Sequence, residues 1–219
     1  PDCPLRRIWD WADFPAILAE ELDAWPHNAN RVGSWWCAWK RRLAYQLHDD
    51  VRAVSGLPLE RESVDDRITV IVTTSPAPLH PSTEHLGFVV ESIRAQLPAA
   101  EIVVVCDGVR PEQPERADDY AEYVRRLIWH CQHEWTNVLP VVMDEWGHQA
   151  NAIRRGLDYV TTPLVLLVEH DTPLVGEIDW EPCCDLVASG EANVIRFHHE
   201  ASVLPSHRNL MLDNSPHTI

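Results

Sequence analysis

Glu169, His170 and Asp171 follow directly on an apolar run, Leu164 to Val168, in the stretch LVLLVEHDTPL. Alternate side chains of a strand share a face, so Glu169 and Asp171 at the end of such a strand point at one place and His170 at the other face. Two carboxylates held together repel each other unless a positive charge sits between them. Mg²⁺ or Mn²⁺ prefers oxygen ligands and relieves that repulsion. The chemistry on offer is the holding of a divalent cation. An isolated E-x-D is equally the solvated end of a strand before a turn at Thr172-Pro173, so the choice rests on the elements that position it.

Leu164 to Val168 reads as a strand buried on both faces of a sheet. The same kind of β-branched run occurs in ITVIVTT from Ile68, AEIVVVCDG ending in Asp107-Gly108, NVLPVVMD and ANVIRFHH. Strands are therefore expected near 68–74, 101–106, 138–142, 164–169 and 193–197. Between them HPSTEHLGFVVESIRAQ, PERADDYAEYVRRLIWHCQHEW, GHQANAIRRGLDYV and WEPCCDLVASG carry helical spacing. Strands alternating with helices predict an α/β fold with a mostly parallel sheet flanked by helices. Ligands of such sheets sit at the carboxyl ends of the strands, where Asp107, Glu169 and Asp171 would converge.

Residues 1–60 differ in character. They are helical in pattern, with a helix start at Asp13-Phe14-Pro15, and hold six of the ten tryptophans. Trp35, Trp36, Trp39, Leu43 and Leu47 fall on or near one helix face. That face fits a helical extension packed on the core better than a carbohydrate-stacking platform. The expected organisation is this extension over 1–60 and one α/β domain over 61–219.

The net charge is −16, from 34 acids against 18 bases, which argues against nucleic acid as a partner. No apolar stretch is long enough for a transmembrane helix, and the first residues, PDCPLRRIWDWADF, lack the apolar core of a signal peptide. The six cysteines form no CxxC pair, and Cys183 and Cys184 are adjacent, poor geometry for a disulfide. Reduced thiols and a cytoplasmic location are expected. His130 and His133 in HCQHE have chelating spacing on a helix but no second ligand pair, and read as an ordinary helix face.

The order of these pieces resembles the nucleotide-binding half of family-2 glycosyltransferases with the GT-A fold, over roughly residues 68–200. The resemblance rests on TTSPAP after the first strand, on Ser92, Ile93 and Gln96 in the following helix, and on Asp107 ending the second strand. It continues with GHQANAIRRGL standing for the family's A-x-N-x-G helix, and EHD standing for its D-x-D motif. It implies a nucleoside-diphosphate sugar donor and an inverting transfer to an acceptor hydroxyl of a glycan, a lipid-linked or a small molecule. It also implies roles. Thr73, Thr74 and Ser75 would lie against base and ribose, and Asp107 would accept a hydrogen bond from the base. Gln149, Asn151 and Arg154 would approach ribose or diphosphate. Glu169 and His170 would belong to the nucleotide site, and Glu169 and Asp171 would frame Mn²⁺ or Mg²⁺. Asp107 is equally a turn residue before Gly108, and Gln149, Asn151 and Arg154 equally a solvated helix face.

The chain departs from the family in having Glu for the first motif acid and only 48 residues after Asp171. Glu200, following the strand expected at 193–197, is the candidate catalytic base, with the neighbouring His198 and His199 as secondary candidates; Asp213, the other acid there, lies in a polar tail, and His198, His199 and His207 are possible metal ligands. Two other readings stay open. One is a truncated, non-catalytic nucleotide-sugar-binding module. The other is a nucleotidyltransferase, whose glycine-rich basic phosphate loop has no counterpart in TTSPAPLHPSTEH. A metallohydrolase on the sequence HHE is disfavoured, because adjacent histidines of a strand point to opposite faces.

Overall fold

The structure is a computed structural model and describes residues 8, 10–25, 27–55 and 63–197. Among these, the helices α1 (Phe14–Asp23), α2 (His27–Ser55) and the single turn α3 (Val64–Arg67) precede strand β1 (Ile68–Thr74). Then follow α4 (Glu84–Gln96), β2 (Glu101–Cys106), α5 (Ala117–His133), β3 (Val138–Val142), α6 (His148–Leu157), β4 (Leu164–Glu169) and α7 (Trp180–Ala188). The four strands form one all-parallel sheet in the order β3-β2-β1-β4. This is the α/β sheet flanked by helices that the sequence leads one to expect.

The strand order explains where the helices go. The chain steps outward from β1 to β2 to β3, then crosses back to place β4 on the other side of β1. Right-handed crossovers put the outward helices on one face and the returning helix on the other. Leu86, Val89 and Ile93 of α4 and Tyr123, Val124 and Leu127 of α5 pack on Val70, Val72, Ile102 and Val104. On the opposite face Ala152 of α6 packs with Ile71, Val103, Val105, Leu139 and Val141. A buried polar knot closes the amino end of the sheet: Thr69 and Thr161 donate to Glu101 Oε2 at 3.1 and 3.0 Å.

The tryptophan-rich N-terminal region touches this core through α2, which runs along β3 and α5. Asn30 is buried. A Cβ on Gly33 would lie 3.1 Å from Ile128 Cγ2, so the helix sits close to α5. Gln132 of α5 donates to Cys37 Sγ at 3.7 Å. Cys37, Cys106, Cys131, Cys183 and Cys184 are unbridged, and burial pushes the Cys106 thiol up to about 12.

The apolar face expected to pack on the core does not do so: Trp36, Trp39, Leu43 and Leu47 are exposed, and α2 meets the core through Asn30, Gly33 and Cys37 instead. Two strand expectations also need correction. β4 is not buried on both faces: among the described residues it is an edge strand, with Val165 37% and Leu167 52% exposed. Leu164, Leu166 and Val168 alone turn to the core. A purely apolar run cannot distinguish a central strand from an edge strand whose outer face lacks a covering helix. The strand expected at 193–197 does not form; those residues carry no ladder, and Val194 is 80% exposed. A short extended segment without a hydrogen-bonded neighbour has nothing to hold it as a strand. The described helices include none long and apolar enough to cross a membrane.

α6 can approach the sheet only because residue 156 is glycine. A Cβ there would lie 2.9 Å from Ile71 Cγ2 and 3.1 Å from Val105 Cγ2. Gly156→Val is expected to overpack this contact and destabilise the chain by about 1–3 kcal/mol in denaturant unfolding; an unchanged midpoint would contradict the packing.

Candidate functional site

β1 is the switch point of the sheet, flanked by β2 and β4 whose connections leave on opposite faces. A crevice forms outside the carboxyl ends of strands at such a point. Here a cleft of about 220 Å³ is lined by Thr73, Thr74 and Ser75 from the end of β1 and Asp107 and Arg110 after β2. Trp146, His148, Gln149 and Ala152 from the start of α6, and Glu169 and His170 at the end of β4, complete it. A second cleft of about 180 Å³ shares Ser75, Arg110 and Trp146 with the first and adds Pro76, Gln113 and Arg116.

Asp107 holds the walls of the cleft together. Its side chain is buried, and Oδ1 accepts the backbone N–H of Gly108 at 2.8 Å and of Gly147 at 2.7 Å. Its own N–H donates to the Thr74 carbonyl at 2.9 Å. One residue therefore ties the ends of β1 and β2 to the start of α6. The glycines permit it: a Cβ on Gly108 would lie 2.3 Å from the Glu145 carbonyl carbon and from Trp146 N. The turn-residue reading of Asp107 thus has a concrete basis. Among the described residues Oδ2 bonds to nothing, and Asp107 still lines the cleft. Thr74 is used structurally too, its hydroxyl meeting Tyr123 Oη at 3.0 Å beneath the cleft.

At β4 the ladder stops at Glu169, and His170 and Asp171 lie in a turn in which Thr172 N–H donates to the Glu169 carbonyl. Strand alternation therefore does not extend to residue 171. Glu169 and His170 line the cleft together, contrary to the opposite faces expected of them, while exposed Asp171 does not line it. His170 N–H donates to the Thr73 carbonyl at 3.1 Å, which anchors the turn to β1. Glu169 Oε1 accepts from Gln149 Nε2 at 2.7 Å, so α6 and β4 meet across the cleft.

Gln149 and Ala152 line the cleft. Asn151 and Arg154, on the other side of the 3.6-residue turn, do not line the cleft. Asn151 instead donates to the Gly147 carbonyl at 2.8 Å as an internal brace of α6. Glu200, His198, His199, His207 and Asp213 lie outside the described residues.

Arg110, Arg116, Trp146 and His148 are cleft residues not singled out from the sequence. Arg110 and Trp146 stack, with the guanidinium carbon 5.5 Å from the ring centroid. Arg116 donates to the Pro76 carbonyl at 3.2 Å. His148 opens α6 with φ 63°, in the left-handed region that few non-glycine residues occupy and that histidine tolerates better than most. The available signals were an arginine two residues beyond Gly108, and a tryptophan and histidine flanking the glycine ahead of α6.

As a metal centre the donor set is small. No three His, Cys, Asp or Glu side chains gather into a metal-holding group among the described residues. His130 is held by Glu134 at 2.6 Å and Thr83 at 3.1 Å. Of the two acids expected to frame a cation, only Glu169 lines the cleft, and Asp171 lies in the exposed turn beyond it. With one cleft carboxylate, a cation there would take further ligands from substrate phosphates and water, as Mg²⁺ commonly does.

Under the cleft, His80 stacks on Tyr123 with centroids 3.9 Å apart and accepts the Ala77 N–H on Nδ1 at 3.2 Å. Burial, with His170 and Arg116 nearby, holds its imidazole down at about 4, so it is neutral at ordinary pH.

No protein-family model matches the chain, and no curated protein matches it. Among solved structures it is similar to S. aureus TarS, at 16% sequence identity and a TM-score of 0.37, over 57% of this chain and 20% of that one. The chain thus spans about a fifth of that protein's length. A likeness at this level carries no functional conclusion.

Asp107→Ala is expected to lower stability without any ligand, by about 1–3 kcal/mol for each buried N–H left unpaired. Asp107→Asn, which keeps an acceptor oxygen, should recover most of it in denaturant titration. Equal stability of wild type and Asp107→Ala would refute the clamp. For His80 the unfolded state binds the proton near pH 6.5 and the folded state only near 4. Stability is therefore lost as pH falls from about 6.5 to about 4. His80→Phe, which preserves the stack, is expected to flatten that part of the melting-temperature profile; an unchanged slope would contradict it.

Proposed function

We propose that the chain binds a nucleoside-diphosphate sugar in the cleft at the carboxyl ends of β1, β2 and β4 and transfers the sugar to an acceptor hydroxyl, as a glycosyltransferase. The observation that carries this reading is the meeting of Thr73, Ser75, Asp107, Gln149, Glu169 and His170 on one cleft at the sheet's switch point. Arg110 and Arg116 beside it supply fixed positive charge for a diphosphate, in a chain whose net charge is otherwise −16. Thr73 and Ser75 offer hydroxyls to the ribose, Gln149 holds the Glu169 carboxylate in place, and Asp107 keeps Oδ2 available to a base N–H. A Mn²⁺ or Mg²⁺ ion held by Glu169 and Asp171 would neutralise charge on the departing diphosphate. Transfer with inversion needs a base on the far side of the sugar, and Glu200 is the candidate for it.

Binding without transfer is the second reading. It is favoured by the occupied state of the cleft acids: Asp107 is engaged by two backbone N–H groups and Glu169 by Gln149. One oxygen of each acid is thus already committed to holding the cleft together.

A thermal-shift panel of nucleoside diphosphates with and without Mn²⁺ tests the proposal. A ligand at a hundredfold excess over its Kd stabilises by about 2.7 kcal/mol. One base is expected to stabilise the chain, more so with Mn²⁺. Glu169→Ala and Asp171→Ala are each expected to lose the Mn²⁺-dependent part. No stabilisation by any diphosphate overturns the reading, and full Mn²⁺ dependence in both variants overturns the carboxylate assignment. With the donor identified, Glu200→Gln is expected to abolish transfer while leaving nucleotide binding intact; transfer at the wild-type rate places the base elsewhere.

A further inference from the structure

Helix α2 carries a second surface that the cleft does not use. Trp36, Trp39, Leu43, Leu47, Val51 and Val54 follow one another at three- and four-residue spacing, and all six are exposed. At 1.5 Å per residue the stripe is about 28 Å long. Trp36 and Trp39 already stack, with centroids 5.1 Å apart and planes 16° apart. The chain's own α1 does not cover the stripe, since its apolar residues Phe14, Leu18 and Leu22 are exposed as well, as are Trp11 and Trp25 on either side of it. Nor could it. Folded back from Trp25, α1 and the turn before it span about 21 Å and reach no further than about residue 41. Leu43 to Val54 lies beyond that reach.

The pattern along the stripe says what does fit. Reversed end for end about the level of Tyr45, the helix matches itself: Trp36 falls opposite Val54, Trp39 opposite Val51, and Leu43 opposite Leu47. The charges match in the same register. α2 holds Arg31, Lys40, Arg41, Arg42 and Arg52 against Asp49 and Asp50, five minus two, a local +3 in a chain of net −16. Antiparallel pairing brings the basic stretch Lys40–Arg42 of one helix to the level of Asp49 and Asp50 of the other. Parallel pairing sets basic against basic. A self-complementary patch of this kind is what a two-fold, isologous interface requires.

We infer that a second copy of the chain covers this stripe, giving a homodimer in which the two α2 helices pack antiparallel about a two-fold axis at the level of Tyr45. The interface lies on α2, which borders β3, so it sits at the sheet edge opposite β4 and leaves the cleft open.

Sedimentation velocity over a wide concentration range tests this. The expected result is reversible association from 25.0 kDa to twice that mass, weakened by salt. Leu43→Glu/Leu47→Glu is expected to raise the dimer Kd about a hundredfold or more while circular dichroism keeps the helix content. Register is read by disulfide trapping. Trp36→Cys mixed with Val54→Cys should cross-link, whereas each alone should not, because like positions stand about 27 Å apart along the axis. This second test stands even if the double glutamate variant fails to fold. A chain that stays monomeric at all concentrations overturns the inference. So does a dimer unaffected by the glutamates, efficient cross-linking of Trp36→Cys alone, or a monomer that binds anionic phosphatidylserine vesicles through the stripe.

Discussion

The cleft depends on one carboxylate oxygen. Asp107 Oδ1 accepts the N–H groups of Gly108 and Gly147, and so fixes the loop after β2 against the turn that starts α6. The contact is possible only where side chains are absent, because residue 108 lies against the backbone of Glu145 and Trp146. Trp146, His148 and Gln149 owe their places in the cleft to this junction, and Arg110 its stack on Trp146. Through the bond from Gln149 to Glu169 the same junction braces the end of the edge strand β4. A buried acceptor with two donors makes the junction stiff, since releasing it leaves unsatisfied polar groups.

This arrangement reconciles two features that pull in opposite directions. The chain is strongly acidic, yet the proposed ligand is a polyanion. The cleft offers local positive charge for this, Arg110 and Arg116 on one side, with the Glu169 carboxylate on the other. β4 sits at the sheet edge, so Glu169 reaches the cleft from a half-exposed strand and not from the closed centre of the sheet. An exposed carboxylate is easily reached by a hydrated ion.

Four strands fell where their β-branched runs predicted, 68–74, 101–106, 138–142 and 164–169. Runs of that kind report burial, which is a local property of the sequence. Whether β4 is central or at the edge, and whether 193–197 finds a partner, depends on strand order, which the runs do not encode. The cleft was legible where a residue sits directly at a strand end, as with Thr73, Ser75, Asp107, Glu169 and His170. It was not legible where the backbone bends before the side chain is placed. Asp171 lies in a turn that breaks the strand alternation, and Asn151 and Arg154 lie a part-turn away from Gln149 on α6. Arg110 and Trp146 come together through the close approach at Gly108, a contact between segments far apart in the chain.

The most direct test of the central claim is where a nucleotide protects the backbone. Hydrogen exchange read by mass spectrometry, with a nucleoside diphosphate and Mn²⁺ added to the full chain, is expected to slow the amides of residues 73–75, 107–110, 146–149 and 169–171 together. Amides of α2 and β3 should not change. Protection confined to other segments, or none at saturating nucleotide, would contradict the account.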